Sequence, residues 1–301
     1  VMRVMQAVLV SAAAAVPTVE IAPGVHMPMI SLGTWQYNSS LAESVVRLGL
    51  KLGFTHIDTA NDYKNQDGVG RALASRPRDS YFLTTKVPPQ ALASSAYART
   101  AKDLHDNMQL LGLDQVDLVL LHFPPMTQSC AAMQEAWRAM EDFLGAKRAR
   151  AIGVSNYCAS TIDCLLAKAR VAPAVNQVQW HVGMGTDPIG LFAYCARKNI
   201  TIQAYSPLGD GTSELITGDL VRGIGSAHNK SGAQVSLRWV SQHGVPVSTK
   251  ATDPKYLAQD LDTFSWSLSD AELARLDAAT TPAGKPSFVC GKQSAAVVEQ
   301  A

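Results

Sequence analysis

Eight short β-rich runs alternate with longer helical stretches along this chain, and that alternation constrains the fold more than any other feature. The runs are MISLGTW, FTHID, YFLTTK, VDLVLLHF, ARAIGVS, AVNQVQW, ITIQAYS and VPVSTK. Strands separated by helices imply parallel pairing, and eight of them imply a closed (β/α)8 barrel of the TIM type, an α/β fold. The intervening segments carry apolar residues at helical spacing. Leu41, Val45, Leu48 and Leu52 form one such stripe, and Met133, Trp137, Met140 and Leu144 another. Ahead of the first run, TVEIAPGVHMPMI holds a Pro-Gly turn between two β-like stretches and predicts a small hairpin.

Three of the runs carry one set of ionisable residues at or just past the strand end. Asp58 ends FTHID, Tyr63 follows five residues later, Lys86 closes YFLTTK, and His122 stands next to last in VDLVLLHF. In a parallel barrel the C-terminal strand ends meet at one mouth, so these four side chains are expected to converge. A buried lysine needs a partner, and Asp58 is the expected one. That pair is expected to lower the Tyr63 pKa and to fit it as a general acid toward a carbonyl oxygen, with His122 holding the same oxygen. A structural ion pair and a core histidine would read the same way one residue at a time, but less readily for all four together.

Bulk properties exclude several classes. The 301 residues are 47% hydrophobic and 17% charged, with a net charge of +1, so no nucleic-acid or anionic-membrane partner is expected. No stretch is long and apolar enough to span a bilayer. The seven histidines form no HxH or HExxH pattern, and no metal site is expected. Five cysteines, an odd number with no CxxC, read as reduced thiols in a cytoplasmic protein. The first fifteen residues, VMRVMQAVLVSAAAA, have the outline of a secretory signal, which is the alternative. Residues 1–16 are therefore expected to form a leader outside the fold, and residues 17–301 a single barrel domain.

The motifs resemble those of the aldo-keto reductases. HIDTANDYKNQDGVG, LTTKV, LVLLHFP, AWRAMEDFLGAKRARAIGVSNY, VNQVQWH, QAYSPLG and SLRWV with VPVSTKATDP occur in that family's order, from about Val19 to Asp277. The resemblance implies a nicotinamide cofactor lying across the barrel mouth, and the absence of GxGxxG agrees with a site that is not of the Rossmann kind. It places Ser155, Asn156 and Gln177 on the nicotinamide carboxamide and Tyr205 beneath its ring. Ser206 and Leu208 fall on the pyrophosphate, Lys250 on the 2′-phosphate and Gln259 on the adenine. Ser155–Asn156 would also suit a helix N-cap before CASTIDCLL.

The chain departs from the family pattern where NADPH preference is set. Ala251 and Tyr256 stand where a serine and an arginine are usual, and Asp260 replaces an asparagine and adds negative charge. Lys255 is a substitute without arginine's bidentate geometry. NADPH is the expected cofactor, with NADH also accepted. Trp35 and Phe123 are expected to line the substrate pocket, with Trp180 and Cys290 as lesser wall residues. Asp62, beside Tyr63 where an apolar residue is common, is expected to face solvent or to bind a polar or cationic substrate.

The implied activity is reduction of a small-molecule aldehyde or ketone to an alcohol, by a monomer. Two alternatives use the same residues: a catalytically weak cofactor-binding regulatory protein, and a dehydrogenase working toward alcohol oxidation.

Overall fold

A computed structural model describes residues 16–286, so Cys290 and all but the last residue of the expected leader lie outside the described residues. The chain enters through an antiparallel hairpin, β1 (Thr18–Ala22) and β2 (Val25–Pro28), turned at Gly24 with φ +71°. Eight parallel strands then close a barrel. They are β3 (Ile30–Gly33), β4 (His56–Asp58), β5 (Phe82–Val87), β6 (Val116–Leu121), β7 (Ala149–Ser155), β8 (Val175–Gln179), β9 (Thr201–Tyr205) and β10 (Val247–Thr249). Neighbours follow chain order, and β10 closes on β3 with Val247 opposite Ile30. Each of the eight runs expected from sequence contributes one strand.

Strand parity divides the interior into two apolar clusters. Phe82, Leu118, Leu120, Ala151 and Val175 pack with Ile21, Val25 and Met27 of the hairpin, which thereby closes one end of the barrel. The opposite parity, with Ile57, Leu83, Val119, Leu121 and Ile152, packs outward against Val45, Val46, Leu104, Trp137 and Met140 of the surrounding helices. Register places Lys86 opposite Leu120 and Asp58 opposite Thr84, so the ionisable residues stand on the same face as the inner cluster, nearer the other end.

Helix ends follow their local chemistry. Asn38 caps helix Ser39–Leu52 by accepting from the Leu41 amide at 2.9 Å, and Gly53 ends it in the left-handed region at φ +117°. Gly68 sits against this helix start, and a Cβ there would lie 1.9 Å from the Ser39 carbonyl oxygen. That close approach seats helix Gln66–Leu73 directly after the segment carrying Tyr63.

The cysteines do not follow the sequence expectation. Cys130 and Cys164 form a disulfide, and Cys158 is disulfide-bonded too. Cys195, buried, is the free thiol among the described residues. Cys130 opens helix Cys130–Gly145 and Cys164 lies in helix Ala159–Leu166, which pack side by side on the barrel exterior. Their pairing is a product of tertiary packing and carries no CxxC-like mark in the chain. Among the described residues no helix is long and apolar enough to cross a membrane.

Candidate active site

The four ionisable residues meet at the C-terminal mouth. Asp58 is the last residue of β4, Tyr63 closes the single turn Asn61–Tyr63 that follows, Lys86 is the penultimate residue of β5, and His122 follows β6. The turn is fixed from beneath. The Asn65 side-chain amide donates to the carbonyls of Thr34 at 2.7 Å and Tyr37 at 2.9 Å. Asn107 accepts from Asn61 at 2.8 Å and donates to the Lys86 carbonyl at 3.0 Å. Neither Asn65 nor Asn107 stood out in the sequence, because a buried amide in a polar stretch carries no pattern of its own.

Lys86 is 1% exposed and donates to Asp58, to the Thr59 carbonyl at 3.1 Å and to the Tyr63 hydroxyl at 3.2 Å. Burial works against the ammonium, but Asp58 and Tyr63 outweigh it and hold Lys86 above the ordinary lysine range. The Tyr63 phenol is pushed up, not down: burial raises it and Asp58 adds to that, while Lys86 pulls the other way. The expected lowering therefore fails on balance, because desolvation of the half-buried phenol outweighs the pull of Lys86. At neutral pH Tyr63 is a protonated donor. Its ring meets His122 edge-on at 5.6 Å, and His122 stacks on Phe123 at 4.5 Å.

A cavity of about 650 Å³ opens above this group. Asp58, Tyr63, His122, Ser155, Asn156, Gln177, Tyr205, Ser206, Leu208 and Lys250 line it, as do Trp35, Asp62 and Phe123. Lys86 lies beneath the cavity floor rather than in its wall. Gln177 donates to Asp58 at 2.6 Å and to Gln203 at 2.9 Å, so its side-chain NH2 steadies the carboxylate. Tyr205 donates to the Asn156 side-chain oxygen at 2.7 Å, while Asn156 donates to the His122 carbonyl at 3.0 Å. Asn156 adopts φ +63°, and the helix after it starts at Ala159 with Cys158 as its cap. The Ser155–Asn156 N-cap expectation is thus overturned: the pair is turned toward the cavity, with the Ser155 hydroxyl donating to the Gln177 carbonyl at 2.8 Å.

The far end of the cavity is polar. Lys250 donates to Gln36 at 2.5 Å and lies over the Trp35 and Tyr37 rings at 5.3 and 5.7 Å. Ser206 donates to Asp210 at 2.5 Å. Gln36 and Asp210 were not singled out from sequence; both take positive φ, a backbone state invisible in residue type. Gln259 lies on helix Pro254–Leu261, whose residues are absent from the cavity lining. Tyr256, on the same helix, is exposed. Asp260 is buried, accepts from the Thr249 hydroxyl at 3.1 Å, and has its carboxyl raised by burial to about 7. It therefore adds less negative charge near neutral pH than its residue type suggests.

Two wall expectations change. Trp180 is fully buried against Phe192 and Trp239, with its indole N–H donating to the Gly185 carbonyl at 2.8 Å, and is no part of the cavity lining. Asp62 does not simply face water. Its carboxylate lies 3.3 Å from Nδ1 of His122, and that contact leads the causes holding its pKa below the usual range.

The model of the Aldo/keto reductase family matches residues 29–281. The chain belongs to this family. Similar curated members include morphine 6-dehydrogenase of Pseudomonas putida, 35% identical over 87% of this chain and 90% of its own length. Glyoxal reductase of Bacillus subtilis is 34% identical over 87% of this chain and 92% of its own. Among solved structures, an aldo-keto reductase from a Medee basin deep-sea metagenome library superposes with TM-score 0.82 at 30% identity, covering 90% of this chain and 98% of that one. A Bombyx mori aldo-keto reductase in complex with NADP does so with TM-score 0.77 at 27% identity, covering 88% and 93%. The chain is thus an oxidoreductase of this family, built on its barrel. The side chains at the mouth suit a nicotinamide cofactor: carboxamides at Asn156 and Gln177, a hydroxyl at Ser155 and an aromatic ring at Tyr205 on one cavity wall.

Proposed function

We propose that this oxidoreductase reduces aldehydes and ketones to alcohols, with NADPH as its preferred reductant and NADH also accepted. The observation that carries this reading is the Tyr63 hydroxyl, within hydrogen-bond reach of a buried Lys86–Asp58 pair and beside His122 at the cavity floor. When bound, a reduced nicotinamide would supply the hydride that the carbonyl carbon accepts. Tyr63 gives its proton to the carbonyl oxygen as negative charge develops there. The Lys86 ammonium stabilises the phenolate left behind, Asp58 holds that ammonium in place, and Gln177 holds Asp58. His122 orients the substrate oxygen. Ser155, Asn156 and Gln177 would hold the nicotinamide carboxamide, Tyr205 its ring, Ser206 and Leu208 the pyrophosphate, and Lys250 the 2′-phosphate.

Ala251 and Tyr256 remove the usual serine and arginine from the phosphate end, so discrimination against NADH is weak. The similarity to a morphine 6-dehydrogenase supports a second reading, in which the same site oxidises an alcohol. The Cys130–Cys164 disulfide favours an oxidising compartment over the cytosol. A panel of aldehydes and ketones assayed with NADPH and with NADH tests the proposal. Turnover of reactive aldehydes with both, faster with NADPH, is the expected result. Cofactor binding without turnover across the panel would leave a binding protein in its place.

A further inference from the structure

Asp62 is an unusual neighbour for the proposed proton donor, and its position gives it a definite task. Its Oδ2 lies 3.3 Å from Nδ1 of His122, an ion-pair distance, although the alignment falls short of a well-formed hydrogen bond. Nδ1 is buried and has no other partner among the described residues, so Asp62 is the group that decides its protonation. Nε2 is then the ring nitrogen left for the cavity that His122 lines. A neutral imidazole carries one proton. Facing a carboxylate, that proton belongs on Nδ1, and Nε2 is left as an acceptor.

We propose that Asp62 is a positioning residue that keeps a proton on Nδ1 of His122, so that the imidazole donates to a substrate carbonyl oxygen only as an imidazolium. The proposal rests on the carbonyl-reductase reading and deepens it. A carbonyl oxygen only accepts, so the neutral ring with Nε2 unprotonated repels it, whereas the imidazolium donates from Nε2 and keeps its proton throughout. The transferred proton still comes from Tyr63: hydride adds to carbon, the C=O π pair moves to oxygen, and oxygen takes the phenol proton. With the proton on Nδ1, the neutral ring instead suits the hydroxyl of a product alcohol, which can donate to Nε2.

The other charged groups around His122 are accounted for. Tyr63 faces it from the same turn as Asp62, Asp58 from β4 and Lys86 from β5, while Asn156 binds only its backbone carbonyl. Burial, the largest influence, and Lys86 oppose the imidazolium and on balance hold His122 below the usual histidine range; Asp62 is the largest influence in its favour, with Asp58 behind it. Lys64 and His122 stabilise the Asp62 charge, and Asp103 faces Asp62 from helix Ala93–Leu111.

The test compares Asp62→Asn with the natural chain in two ways. One is the pH profile of kcat/KM for reduction of an aromatic aldehyde with NADPH. The other is an NMR titration of ¹⁵N-labelled imidazoles, assigned with His122→Gln. Asp62 is partly exposed and asparagine is nearly the same size, so folding should persist. In the natural chain kcat/KM falls as pH rises through the His122 titration. Asp62→Asn is expected to move both that limb and the His122 resonance down by about one pH unit, as for loss of an opposite charge at this distance. An unmoved limb and an unmoved resonance, even with lower activity, would overturn the proposal. If no carbonyl is reduced at all, the function reading falls, and the NMR titration still decides whether Asp62 governs His122.

Discussion

The Lys86 ammonium donates to the Tyr63 hydroxyl at 3.2 Å from inside the barrel, where it is 1% exposed. This joins the architecture to the chemistry. A charge buried this deeply persists because Asp58 pairs with it and the Thr59 carbonyl accepts from it. Replacing Lys86 with Met should therefore have two effects at once. On the proposed mechanism it removes the group that would stabilise the Tyr63 phenolate, so kcat/KM for aldehyde reduction should fall by about 100-fold or more. It also leaves Asp58 buried without its counter-charge, which should cost about 3–5 kcal/mol of stability. Steady-state kinetics and urea unfolding of the same variant check both effects.

His56 sets an acid limit on the fold. It is wholly buried, bonded to Thr84 Oγ1 at 2.9 Å and to the Pro28 carbonyl at 3.3 Å, and burial lowers its pKa to about 4. The unfolded chain takes up this proton near pH 6.5, before the folded one does, so stability is complete above that pH and falls as pH drops toward 4. The loss from this group should reach roughly 3 kcal/mol. Urea midpoints measured across that window should fall with acidification, and His56→Asn should flatten the slope.

The Cys130–Cys164 disulfide closes a span of 34 residues that includes helix Cys130–Gly145 and β7. Chain-entropy reasoning assigns such a closure about 3–4 kcal/mol as an upper figure. Reductant, or Cys130→Ser, should lower the melting temperature by several degrees. Cys130 is exposed, so alkylation of the native protein without reductant should leave it unlabelled. Labelling there would contradict the pairing.

Much of this was legible in the chain for physical reasons. A buried parallel strand reads as an apolar run, and an ionisable residue ending such a run stands out, so Asp58, Lys86 and His122 could be found before any coordinates. Direction and partner were harder. The orientation of Asp62 depends on the turn Asn61–Tyr63, and the disulfide on two helices meeting across the barrel exterior. The Tyr63 pKa depended on which of two opposing influences is larger, burial or Lys86, and spacing carries no measure of burial depth. Trp180 misled because an aromatic after a strand end suits a pocket wall as well as a core.

The central claim is that Tyr63 passes the proton to the carbonyl oxygen. Its most direct test is NADPH oxidation by Tyr63→Phe in the presence of a reactive aromatic aldehyde. Phenylalanine keeps the ring against His122 and removes only the hydroxyl, so the fold and cofactor binding should persist. Turnover is expected to fall by roughly 100-fold or more, the contribution of a positioned general acid. Turnover unchanged from the natural chain would contradict the account.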